Sequence, residues 1–441
     1  MNKHEPTSSL FPTGAKSVPV IKRVRQMINT MLSRARKSDA YDYDLEVTGV
    51  ERFQLGKDAN WPDFPINETK AMHDESLAYQ AKGQFLARQE DWDILATLIS
   101  EADRDRTKTT QGVPIAELLA HGARADVVLS VEHALFDGRP AEGTNLLAGI
   151  EALEEVLADY PDSYPVAMIV ALAHLDIGLA WRGDGWMSVL PSRNRDAFNT
   201  HCARAMGILD QFVYTDQTAP SLLATRCTLQ AECCASQRQI ADEFEKLVDA
   251  DPANAGYMRA MGTHLLRQTS DSAALLDMEA RRAAARTQEI WGAGAYTWIC
   301  MEAVLMDDAT CAQIEASLFI EGMRDILARS QDQHTANLLA AYCSVSIRAG
   351  YGSNDAADLV RYQLMKCADW IIRDHLTEIH PLVWARAGGR FDASDRAQAV
   401  QKLADRGRRD ALDAISALFG DDFACGSGVA FAARQSMINV R

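Results

Sequence analysis

His174 and Asp176 stand in a stretch otherwise almost wholly apolar, PVAMIVALAHLDIGLAW (165–181), and an imidazole and a carboxylate that meet can exchange a proton. Two residues apart on a helix they point to different sides, so they make no acid–base pair by themselves. The expectation is a histidine met by a backbone carbonyl and an aspartate partly open to water, with a ligand site between helices as the alternative. DHLTEIHP (374–381) offers His375, Glu378 and His380. His375 and Glu378 can share a helical face, but His380 lies about 140° round from His375. Zinc-protease helices place histidines four apart with Glu between them, so this segment reads as a helix end stopped by Pro381.

The thiols give no stronger signal. In RCTLQAECC (226–234), Cys227 and Cys234 share a face with Leu223 while Cys233 points elsewhere. Zinc sites draw on C-x2–4-C pairs, and no second pair stands nearby. Small buried hydrophobes are the expectation, with a redox or metal role as the alternative. WGAGAY (291–296) follows a helix and not a strand, which argues against a phosphate loop and for helices in close approach. ACGSGVA (424–430) lacks the G-x-S-x-G spacing of a nucleophile elbow. No catalytic, cofactor-binding or metal-binding residue is therefore assigned, and no cofactor is expected.

The elements that must hold these residues are helices. In 441 residues there are only 26 Gly and 13 Pro, and Ala, Leu, Met, Arg and Glu crowd most windows. Helix-period segments follow one another from Glu68, expected at 68–89, 91–106, 114–136, 144–159, 164–182, 195–213, 219–235, 237–250, 255–268, 271–289, 293–306, 310–329, 333–349, 353–373, 375–386 and 393–418. Connections of two to six residues make successive helices antiparallel neighbours. The apolar 165–181 stretch is at the short edge of a membrane span, and His174 and Asp176 would be costly in lipid. It reads as a core helix closed by Gly183 in a left-handed cap.

Two turns repeat: LEEVLADYPDSY (153–164) and FEKLVDADPANA (244–255) each end a helix at a proline and begin the next. That is the tetratricopeptide way of closing a helical hairpin. The expected fold is all-α, a tetratricopeptide-like right-handed superhelix of antiparallel hairpins over 67–420, followed by a C-terminal tail at 421–441. Residues 38–66, with two prolines and several turn formers, read as an extended connector.

Charge is unevenly placed. Residues 1–37 hold eight Lys/Arg and one Glu, net +7, against 37 basic and 60 acidic residues in the remainder, net −23. VPVIKRVRQMINTMLSRARK (18–37) has the spacing of an amphipathic helix. Its Lys22, Arg23, Arg25, Arg34, Arg36 and Lys37 are the candidate contacts for an anionic membrane or nucleic acid, or for the protein's own acidic body. With no signal peptide and nine irregularly spaced cysteines, the expected setting is cytoplasmic and reducing.

The chain also resembles a known family. Pro161-Asp-Ser163 before an alanine-rich helix, Ala180-Trp181-Arg182-Gly183, a downstream Phe198, CARAMGIL, the FEKLVDADP turn with Pro252, and GAGAY with Gly294 and Tyr296 are similar to the bacterial domain of unknown function 4034. The likeness covers roughly 130–310. It departs at LLRQTSDSAALLDMEARR, where the family carries a Trp-Gly-Gly-rich segment. The resemblance implies a helical-repeat fold and brings no activity with it. The expected function is a non-catalytic scaffold or adaptor whose concave face binds another protein or peptide. The alternatives are an enzyme or small-molecule binder with a pocket inside the superhelix, using His174 or His375/Glu378, and a factor recruited through its basic arm.

Overall fold

The computed structural model describes residues 64–67, 70–136, 140, 146–183, 190–212, 218–233, 236–266, 272–330, 332–387 and 400–424. Their regular structure is helical, and the extended pairings among the described residues are two isolated bridges, Ile66 with Ile379 and Lys108 with Pro114. The basic arm from Lys22 to Lys37, the connector up to residue 63, Cys234 and the chain beyond 424 lie outside the described residues.

Helix α1 (Lys70–Arg88) and helix α3 (Ile115–Ala134) cross in backbone contact, with α2 (Trp92–Asp105) between them in sequence. Gly83 and Gly122 make that crossing possible. A Cβ on Gly122 would stand 1.8 Å from the Gln80 carbonyl oxygen, and one on Gly83 2.1 Å from that of Leu119. After α4 (Ala148–Asp159) comes the apolar helix α5 (Tyr164–Arg182), packed against α2, α3, α4, α6 (Ser192–Leu209) and α7 (Pro220–Glu232). Ala167 to Ala171 are fully buried, so α5 has the length and composition of a membrane span but packs as an inner helix.

The helices that follow are α8 (Gln237–Ala250), α9 (Ala255–Leu265), α10 (Ser272–Arg286), α11 (Gln288–Trp291), α12 (Gly294–Met306), α13 (Asp308–Cys311), α14 (Ala316–Arg329) and α15 (Gln333–Ser344). Last come α16 (Asp355–Met365), α17 (Cys367–His375), α18 (Pro381–Ala387) and α19 (Val400–Ala424). Two cores result. One is built on α1 to α7 and the other on α7 to α19, and α7 serves both, with Leu222 in the first and Leu223 in the second.

At the start of the body alternate helices lie side by side, α1 on α3, α3 on α5 and α5 on α7, and farther on α9 lies on α12 and α15 on α18. Tyr342 in α15 links back to α12 by donating to the Met301 carbonyl at 2.8 Å. The seams of this row carry arginine–carboxylate pairs. Arg88–Asp126 joins α1 to α3 at 2.6 Å, Arg124–Asp176 joins α3 to α5 at 2.6 Å, Arg182–Glu232 joins α5 to α7 at 2.7 Å, and Arg259–Glu302 joins α9 to α12 at 3.1 Å.

The two proline turns have the same geometry. Ser163 N–H donates to the Tyr160 carbonyl and Asn254 N–H to that of Asp251, both at 3.1 Å. Elsewhere the helix boundaries need correction. The segment expected as one helix over 353–373 is two, α16 and α17. The expected helix over 375–386 begins only at Pro381, because the amides before it are taken by other groups. Thr377 and Glu378 N–H donate to Gln333 Oε1, His380 N–H to Asn337 Oδ1, and Ile379 N–H to the Pro65 carbonyl. Gly183 has φ +58° but ψ −158°, so it departs from the expected left-handed cap while its N–H still donates to Leu179 O at 2.8 Å. Helix α19 runs to Ala424, into the segment expected as tail. Phe64 to Ile66, expected to end the connector, are held by the body together with Asn67: Phe64 is buried in the second core and Asn67 N–H donates to the Ile379 carbonyl at 2.9 Å.

Candidate functional site

A buried and half-buried polar cluster lies where helices of the row begin. Glu117 is in the first turn of α3, Tyr164 opens α5, Ser221 is the second residue of α7, and Tyr257 is in the first turn of α9. Helix starts present unsatisfied N–H groups and the positive end of the helix dipole, a setting that favours carboxylates. Asp103, from the last turn of α2, fills it: its carboxylate accepts from Ser221 N at 3.0 Å, from the Ser221 hydroxyl, and from the Tyr164 hydroxyl at 3.0 Å. Burial raises its pKa above the ordinary carboxylate value against those bonds.

Glu117 accepts a hydrogen bond from the Tyr257 hydroxyl at 2.7 Å. Burial drives its pKa up to about 7, opposed by that bond and by Arg124, and helped by the nearby charges of Asp103 and Asp251. Near neutral pH this carboxyl is poised between its two forms, as a general acid or base must be. Asp251 closes the cluster through Lys108, whose Nζ stands 2.9 Å from Oδ2, and Arg106 Nε donates to the Ala250 carbonyl at 2.7 Å. Sequence reasoning missed this cluster. Its members come from five separate segments, and no spacing within any one of them announces the others.

The structure places His174 in a different setting from the one expected. Its partner is not a backbone carbonyl: Nδ1 lies 2.9 Å from Nδ1 of His201, and Nε2 lies 2.8 Å from Glu154 Oε1. Arg204, bonded to both Glu154 oxygens, holds that carboxyl below its ordinary pKa, so Glu154 can only accept and His174 carries its proton on Nε2. His201 then donates from Nδ1, with both rings neutral. Burial lowers both histidines, His201 to about 4. Asp176 points to the other side of α5, as its spacing requires, and pairs with Arg124.

His375, Glu378 and His380 are likewise not one site. His375 packs edge-on against Trp370 with ring centroids 5.6 Å apart. Glu378 accepts from His380 Nε2 at 2.7 Å and from Asn67 Nδ2 at 3.1 Å, bonds that hold its carboxyl low although burial opposes them. Among the described residues no group of three or more His, Cys, Asp or Glu is placed to hold a metal ion.

The residues that carry the family resemblance do structural work. The Pro161 carbonyl accepts from Gln211 Nε2 at 3.2 Å, and Pro252 accepts from Trp291 Nε1 at 2.8 Å. Ser163 precedes α5 without a side-chain capping bond. Arg193 lies over the Trp181 ring and Arg182 over that of Phe198. Gly294 opens α12 where a Cβ would stand 2.7 Å from Ile326 Cγ1. Tyr296 is fully buried and its hydroxyl donates to Asp277 Oδ1 at 2.9 Å. Compared with known proteins, the chain matches no family model, no curated protein and no solved structure.

Proposed function

We propose that this protein is a non-catalytic helical-repeat scaffold that binds another polypeptide along its helical row, with a tetratricopeptide-like superhelix as its architecture. The carrying observation is the row of side-by-side helices, with an arginine–carboxylate pair at the α1/α3, α3/α5 and α5/α7 seams and another between α9 and α12. Two of these pairs, Arg88–Asp126 and Arg259–Glu302, lie open or partly open to water, where an ion pair adds little to stability, and they support a surface that presents fixed charges to a partner. The matching proline turns and the resemblance to domain of unknown function 4034 support the repeat reading, and a cytoplasmic setting belongs to the same proposal. The test is affinity capture with the purified full chain beside a variant carrying Arg88→Glu and Arg259→Glu, its fold checked by circular dichroism. A polypeptide retained in stoichiometric amount by the first and lost by the second is the expected result. Retention of a metabolite alone, or capture indifferent to both reversals, overturns the reading.

A second reading, an enzyme or small-molecule binder, is favoured by Glu117, whose carboxyl is poised at about 7 beside Tyr257 and Asp103. Under that reading a metabolite co-purifies with the full chain and is lost in Glu117→Gln.

A further inference from the structure

Between α17 and α18 the chain leaves the helical path from Leu376 to His380, and side chains of α15 hold it there. Gln333 Oε1 accepts from the Thr377 N–H at 2.8 Å, and its Nε2 donates to the His375 carbonyl at 3.0 Å. Asn337, fully buried, accepts from the His380 N–H at 2.8 Å and donates to the Glu378 carbonyl at 2.9 Å. Ile379 lies between these clamps, and its backbone groups turn to the first described segment of the chain. Its N–H donates to the Pro65 carbonyl at 2.8 Å and its carbonyl accepts from the Asn67 N–H at 2.9 Å, a parallel pairing of Ile379 with Ile66. The body therefore shapes a short strand edge with bonds that do not involve the segment filling it.

Phe64-Pro65-Ile66-Asn67 fills that edge as a strand does. Its side chains alternate: Phe64 is buried, Pro65 exposed, Ile66 half-buried and Asn67 exposed. Phe64 is the anchor, 7% exposed within the second core. Pro65 supplies the carbonyl that the pairing needs, lacks the N–H that it does not use, and biases Phe64 toward extended backbone. Asn67 adds a side-chain bond, its Nδ2 donating to Glu378 Oε1 at 3.1 Å. Main-chain bonds to a sheet-like edge, with alternate side chains read by a pocket and a carboxylate, are the parts of recognition by strand addition.

We propose that the edge at Ile379 is a docking slot for an extended segment of a partner protein, of the form aromatic-x-aliphatic-Asn, and that Phe64–Asn67 is its occupant in cis, displaced when the partner enters. Exchange is the mechanism, not vacancy. A departing segment exposes the Phe64 ring and gives up two backbone bonds, and an incoming segment of the same form restores both. The tethered occupant competes at an effective concentration that is millimolar for a short tether, so it holds the slot against weak or dilute ligands. The slot lies at α15 and α18, outside the charged seams of the helical row, so its outcome is independent of binding there.

The probe is a fluorescein-labelled peptide, PDFPINET, the chain's own residues 62–69, titrated by anisotropy against the full chain. A full-chain variant with Phe64→Ala and Asn67→Ala weakens the occupant in cis, and should bind the probe about tenfold more tightly than the parent does. PDAPINET, which lacks the aromatic anchor, should bind neither. Glu378→Ala added to that variant should weaken probe binding several-fold, because the acceptor for the probe's asparagine is gone. Circular dichroism checks each fold. If the weakened variant does not fold, hydrogen exchange in the parent carries the test: millimolar PDFPINET should speed exchange at the Asn67 amide and PDAPINET should not. No binding of the probe to the folded variant, equal binding of the two peptides, or an Asn67 amide indifferent to the probe overturns the proposal.

Discussion

His201 and Glu117 titrate in opposite senses, and each gives a prediction at the scale of one side chain. Burial lowers His201 to about 4 from an ordinary 6.5, so the unfolded chain takes up this proton first. The stability that neutral His201 contributes is complete above about 6.5 and is lost as pH falls toward about 4, a change of about 3 kcal/mol at most. His201→Phe should cost stability at pH 7, because it leaves His174 Nδ1 without its donor, yet lose about 2 kcal/mol less than the parent between pH 7 and 4.5. Urea unfolding at both pH values checks this, and parallel losses in the two proteins contradict it. For Glu117 the folded value, about 7, lies above the ordinary 4.5, so the folded state takes up the proton first. Its contribution is greatest below 4.5 and is lost as pH rises through 7. Glu117→Gln keeps an oxygen for the Tyr257 hydroxyl and removes the buried charge. It should gain about 2 kcal/mol over the parent at pH 8 and nothing at pH 4.5, again by urea unfolding. A gain equal at both pH values would place the effect elsewhere than in this ionisation.

Among the elements, the crossing of α1 and α3 depends on glycine in a way that can be measured. Gly122→Ala drives a methyl into the Gln80 carbonyl, which is backbone and cannot swing aside, and should cost about 3 kcal/mol in urea unfolding. Gly207, exposed in α6 with nothing within 4 Å of its would-be Cβ, is the control. Gly207→Ala should gain about 1 kcal/mol from helix propensity alone. Equal effects of the two changes would mean that the helices can separate at little cost. The same elements show what the sequence made legible. The bounds of α5 and α8 are those that apolar period and the proline turns indicate, because local signals set them. The break between α16 and α17 at Lys366, and the extended backbone before α18, had no local mark. The latter is imposed by Gln333, Asn337 and Pro65, which take amides that a helix would otherwise use. Sites follow the same division. That His174 and Asp176 face opposite sides is readable from their spacing, whereas Glu154 and His201 become partners of His174 only once α4, α5 and α6 have packed.

At the scale of the whole helical body, residues distant in sequence are tied across the row. Tyr257 reaches Glu117, Lys108 reaches Asp251, and Arg106 reaches the Ala250 carbonyl. Asn67 bonds to Ile379, and only three residues later α1 begins, so its start lies within about 11 Å of Asn67 by chain reach alone. An open solenoid, in which each repeat touches only its neighbours, unfolds in pieces when one part weakens. Ties between the first helices and those after residue 250 remove that freedom, since α2 and α3 cannot open without breaking contacts to α8 and α9. The seam at α7 reinforces this, because its successive residues Leu222 and Leu223 enter different cores. The described body should therefore unfold as one unit, with tryptophan fluorescence and far-ultraviolet circular dichroism giving coincident urea transitions. Trp92 lies in the first core and Trp298 and Trp384 in the second, so fluorescence samples both. Combining Lys108→Ala with Tyr257→Phe cuts two of the ties and leaves both cores intact. In that variant the two probes should separate and the fluorescence transition should broaden. Coincident curves in the double variant, with only a shifted midpoint, would show that apolar packing across α7 suffices to couple the halves. Separated curves already in the parent would show that the polar ties do not couple them at all.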